Sequence, residues 1–117
     1  MTISYPAGLP LPAPISTTGS MSVVAASVTS VTIVPASDRR LNGGMIVNKA
    51  NKSLWILYEA TTATTSSPCL EIPGGGGSVD IPQHFIGQIS GIWEAGATGE
   101  AVVLQFLTPS PTVIVAN

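Results

Sequence analysis

Between Ala36 and Trp93 the chain repeats one pattern, a short apolar and β-branched run followed by a turn signal. ASDRRLNGG, MIVNK, ANK, SLWILYE, a Thr/Ser stretch, CLEIPGGGGSVDIP and FIGQISGIW succeed one another at close intervals. No window carries the i, i+3, i+4, i+7 stripe of an amphipathic helix with a cap before it. The spacing predicts an all-β chain: a small antiparallel β-sandwich or jelly-roll-like barrel of about seven or eight strands.

Along the chain this divides into an extended N-terminal arm over residues 1–20 and a β-sandwich domain over 21–117. The arm holds Pro6, Pro10, Pro12 and Pro14. Proline lacks the amide that a helix or central strand needs, so the segment is expected to be extended. Tyr5, Leu9, Leu11 and Ile15 are interleaved with those prolines, which suits a peptide lying in a groove on a neighbouring subunit. From Ser22 to Val34 neither alternating face is strongly polar, as in a strand sandwiched between layers or subunits, and Pro35 ends it. Asn42-Gly43-Gly44 supplies a positive-φ turn before a strand at Met45–Lys49. That strand is expected to form a hairpin with Ser53–Glu59, whose two apolar faces mark it as central. Gly74–Gly77 read as a second hairpin tip between Cys69–Ile72 and Ser78–Ile81. The last strands fall at Gln88–Glu94, Glu100–Leu107 and Thr112–Val115, and Val102, Leu104 and Phe106 are expected to face inward.

Composition explains why such a domain would seek partners. Only 9% of the 117 residues are Asp, Glu, Lys or Arg, against roughly 25% in an average soluble domain. Together with a mean hydropathy of +0.44, this favours an oligomer or assembly component over a small monomer with a large exposed surface. A net charge of -2 with four basic side chains argues against nucleic acid. Met21–Val34 is too short and too rich in Ser and Thr to span a bilayer, so no membrane partner is expected. MTISYPAGLP lacks the basic and apolar regions of a secretory signal.

No catalytic residue, cofactor or metal ligand is assigned. His84 is the single histidine, Cys69 the single cysteine, so neither a multi-histidine metal site nor an internal disulfide can be built from one chain. Gly87-Gln88-Ile89-Ser90-Gly91 puts its serine at the wrong place for a nucleophile elbow. The glycine run lacks the Gly-Lys-Ser/Thr ending of a phosphate loop. Trp55 and Trp93 sit inside strand patterns and read as core. Arg39 and Arg40 are candidates for pairing across a subunit boundary, since arginine forks onto carboxylates; the plainer alternative is a solvated turn.

One resemblance bears on function. Ala36, Ser37, Arg39 and Arg40; Gly44, Ile46, Val47 and Asn48; Leu54 and Trp55; Ile72, Pro73, Gly75 and Gly76; Val79, Asp80, Ile81 and Pro82; and Gly87, Ile89, Gly91, Ile92 and Trp93 together resemble small β modules of tailed-bacteriophage virions. The similarity covers roughly half the chain. It implies a non-enzymatic structural protein on the capsid surface: a decoration or cement protein, trimeric on local threefold positions, whose partners are itself and the major capsid protein. Tail, neck or fibre components share such modules, and a host-glycan-binding virion module is the rival of a different class.

Overall fold

The computed structural model describes residues 18–66 and 69–109. Eight strands run through them: β1 (Thr18–Ala25), β2 (Val31–Val34), β3 (Gly44–Asn48), β4 (Leu54–Leu57), β5 (Leu70–Ile72), β6 (Gly77–Ile81), β7 (Ile89–Trp93) and β8 (Glu100–Leu107). They form two four-stranded sheets, sheet I in the order β1-β8-β3-β6 and sheet II in the order β2-β7-β4-β5. Every strand pair is antiparallel. Only the β4–β5 connection stays within one sheet; all others cross between sheets, which is jelly-roll connectivity. The all-β expectation holds. The arm residues Tyr5, Leu9, Leu11 and Ile15, and the expected strand at Thr112–Val115, lie outside the described residues. β1 begins at Thr18, three positions before the expected edge of the domain.

Between the sheets lies an aliphatic core. Ile33, Ile46, Leu54, Ile56, Ile89, Trp93 and Val103 are buried there. Trp93 is core, as its strand pattern predicts, and β4 is central; Trp55, also expected in the core, is instead half-buried on the outer side of β4, because Leu54 and Ile56 take the inward positions. Gly91 is packing-limited: a Cβ there would stand 2.5 Å from Ile33 Cγ1 and 3.0 Å from Leu54 Cδ1.

Three expectations are corrected by the crossings. Ser22–Val34 is two strands in different sheets, because the Ser27 hydroxyl accepts from the Thr29 amide at 3.2 Å and donates to the Thr29 carbonyl at 2.9 Å, turning the chain. The β3–β4 hairpin is instead a corner. There Asn48 donates to the carbonyls of Lys52 and Ile72 at 2.8 and 2.9 Å, while its oxygen accepts from the Ala50 amide and from Trp93 Nε1. The glycine run is also a corner: Gly75 and Gly76 do adopt positive φ, but they donate to the carbonyls of Ala50 and Asn48, stitching the β5–β6 crossing onto the β3–β4 one. Asparagine at a buried strand end thus closes one end of the sandwich.

Arg40 closes the other end. Its guanidinium is wholly buried and donates to the carbonyls of Pro35, Phe85 and Gly87 and to Gln105 Oε1. All four acceptors are neutral, and burial pushes the guanidinium below its ordinary pKa. Among the described residues no buried side-chain nitrogen or oxygen lacks a partner, so the cost of desolvating these groups is offset by hydrogen bonds.

Candidate functional site

β8 decides where the apolar surface goes. Ala101, Val103 and Gln105 are the buried side of this strand, so the expectation that Val102, Leu104 and Phe106 line the interior is reversed. Strand parity makes the choice all-or-none. Gln105 must face inward to meet Arg40, and Ala101 then sits inside as well, so the three bulkier side chains face out.

On either side, neighbouring strands extend that outward face. The registers align Met21 with Leu104 and Leu104 with Met45, then Val23 with Val102 and Val102 with Val47. The result is a two-row apolar patch across β1, β8 and β3, bordered by Phe106 beside Gly19 and, on β6, by Ser78 and Asp80. Met21 is 71% exposed, Val23 59%, Phe106 39% and Met45 36%. Isolated apolar side chains on a surface are ordinary, but a contiguous sheet face of them marks an interaction site. The patch contains no charged side chain; Glu100, Asp80 and Lys49 lie at its margins.

Sheet II presents a different outer face. Trp55 is half-buried beside Ile92, and its Nε1 lies 3.4 Å from Glu94 Oε1. Glu71 accepts at 2.6 Å from the hydroxyl of Ser53, the residue just before the adjacent strand β4. An open depression of about 250 Å³ lies at one margin, lined by Ser30, Thr32, Thr61, Thr62, Gln88 and Ser90 among others. Its lining is hydroxyl- and amide-rich and includes no aromatic ring.

Of the two arginines expected at a subunit boundary, one turns inward. Arg40 is removed from any neighbour's reach by its burial, which corrects both the interface assignment and its solvated-turn alternative. Arg39 is half-buried and donates from Nε to the Thr108 carbonyl at 2.8 Å, fixing the end of β8. His84 is exposed in a turn with φ of 66°, and its amide donates to the Leu41 carbonyl. Cys69 is buried, with its sulfur 3.4 Å from the Thr64 amide. Tyr58 packs edge-on against Phe85 at 5.2 Å; burial, and secondarily the charge of Asp80, raises its pKa. Among the described residues no group of three or more His, Cys, Asp or Glu side chains is placed to hold a metal ion. Comparisons with known protein families, curated proteins and solved structures gave no match.

Proposed function

We propose that this protein is a non-enzymatic structural component of a tailed-bacteriophage virion, a homo-oligomeric capsid decoration or cement protein. The observation that carries the reading is the outward apolar face of sheet I, an adhesive surface without charge on a domain whose polar residues are largely committed to holding its own corners. Laid across a boundary between major capsid protein subunits, that face would bury apolar area at about 25 cal/mol per Å², and many equivalent copies would act together by avidity. The residues from Met1 to Thr17, with Tyr5, Leu9, Leu11 and Ile15, supply a second contact. The resemblance to phage virion modules gives this adhesive domain its setting. The jelly-roll fold is compatible, being used in viral capsid and lectin domains, though a fold alone does not assign a function.

The hydroxyl-lined depression beside β2 favours a second reading, a virion module that binds a host glycan. It lacks the aromatic platform that sugar rings stack on. A tail, neck or fibre position would use the same sheet face on another ring. Counting copies of the chain against the major capsid protein in purified virions, by quantitative mass spectrometry, tests the proposal. Comparable numbers support decoration, a far lower count moves the protein to tail, neck or fibre, and absence from the particle overturns the virion reading.

A further inference from the structure

Of the four strands that end the two sheets, three are guarded against pairing with another chain. β2 has four residues, a register shift between Thr32 and Val34, and Pro35 immediately after it. β5 has three residues and carries Glu71; β6 carries Asp80 and is followed by Pro82. Short length, bulges, prolines and charges are the usual means by which an open edge is kept from adding a strand. β1 has none of them. It is eight residues long, reads TGSMSVVA, and pairs with β8 without a register shift.

The direction of its free backbone groups follows from the ladder. The Ala26 amide donates to the Gly99 carbonyl, and the Phe106 amide donates to the Gly43 carbonyl on the other side of β8. Antiparallel alternation then commits Thr18, Ser20, Ser22 and Val24 to β8 and aims the N–H and C=O of Gly19, Met21, Val23 and Ala25 away from the sheet. Among the described residues no strand lies on that side.

We infer that β1 pairs antiparallel with β1 of a second copy of this chain, about a two-fold axis through Ser22, joining two copies of sheet I into one continuous sheet. In that register Met21 stands opposite Val23 of the second copy and Gly19 opposite Ala25. All are residues whose amides point outward, so donors meet acceptors along the whole strand. Because opposed residues in an antiparallel pair share a face, Met21 and Val23 of both copies lie on the same outer side. The pairing therefore doubles the apolar face instead of hiding it. β1 carries no charged side chain, so the two opposed strands meet no like-charge repulsion from each other. The rival occupants are the chain's own residues 1–17 or 110–117, which lie outside the described residues. The pairing makes a dimer, in place of the trimer that a threefold capsid position asks for.

Sedimentation velocity of the full chain over a wide concentration range tests this. The expected result is a species of twice the 11.9 kDa chain mass. Met21→Pro removes an outward amide without touching the β8 ladder, and Val23→Lys puts a charge against Met21 of the partner. Each should raise the dissociation constant by roughly tenfold or more while the circular dichroism spectrum stays that of the wild type and the melting temperature matches that of the wild type diluted to a monomer. Both side chains are largely exposed in the single chain, so neither change should disturb the fold. A wild-type chain that stays monomeric, that forms a trimer, or whose association survives both substitutions would overturn the pairing. So would a monomer whose Gly19, Met21, Val23 and Ala25 amides are protected from exchange, since a terminal segment of the same chain would then occupy the edge. Copy number in virions is a separate readout, so the pairing and the virion proposal can fail independently.

Discussion

The Arg40 end of the sandwich and the β1 edge make opposite use of polar backbone. Around Arg40 a buried guanidinium donates to four neutral acceptors of its own chain, so its hydrogen bonding is committed internally. Along β1 the outward amides and carbonyls find no partner strand among the described residues, and the side chains beside them are apolar. A satisfied buried network adds stability and specificity of fold; an unsatisfied uncharged edge creates a demand for another strand. Substitutions should therefore separate cleanly, with changes at Arg40 read in melting temperature and changes at β1 read in mass.

The largest effect should come from Arg40→Met. It leaves the carbonyls of Pro35, Phe85 and Gly87 and the Gln105 amide without their shared donor, at a cost of about 3 kcal/mol or more, measured by thermal or urea unfolding. Arg40→Lys should recover little, because an ammonium cannot reproduce the fork. Gly91→Ala tests the core itself. Its new methyl meets Ile33 and Leu54, and overpacking of this kind costs about 1–3 kcal/mol.

A pH titration of stability probes the side of the core around Tyr58. The folded state holds the Tyr58 proton above the ordinary value of 10.0, by burial first and by Asp80 second. The sign follows from linkage: the raised folded pKa contributes stability fully present below pH 10 and lost as the pH climbs through the folded value. Unfolding monitored by fluorescence should show that loss, and Tyr58→Phe should remove it. Leu104→Lys, on the outer face of sheet I, is expected to change stability by no more than about 0.5 kcal/mol and, under the proposed decoration role, to abolish binding to capsids stripped of the protein. The smallest effect belongs to His84→Gly. Relieving a positive φ gains about 1 kcal/mol before the extra chain entropy of glycine takes part of it back.

How far the sequence could reach is clearest at β8. Its alternation located the strand from Glu100 to Leu107, and bulk suggested that Val102, Leu104 and Phe106 faced the core. The opposite parity holds because Gln105 serves Arg40, and nothing in the spacing of two residues 65 positions apart announces that they meet. The corners were hidden for a related reason. Periodicity marks a strand and glycine marks a turn, but neither says whether the turn joins neighbours in one sheet or carries the chain to the other. At Ser27–Thr29 the break is made by hydroxyl-to-backbone bonds inside an apolar run that contains no Gly, Pro or Asn to betray it.

Arg40, Asn48, Gly91 and Trp93, all within the repeated strand-and-turn pattern, are the ones that fasten the corners and fill the core. They record how this sandwich is closed. The surface that would meet a partner is built mostly from others, Met21, Val23, Leu104 and Phe106, whose exposure depends on strand parity and could not be read from residue type. Trp93 was legible as core, but the same reading fails for Trp55, half-buried on the outer face of sheet II, because strand parity decides which side a large aromatic takes.

The central claim is that the β1 edge is an association site, and residue-resolved amide exchange across a dilution series tests it most directly. The account predicts that the amides of Gly19, Met21, Val23 and Ala25 gain protection as concentration rises while those of Thr18, Ser20, Ser22 and Val24 stay protected by β8 throughout. Fast exchange of the first set at every concentration would contradict it.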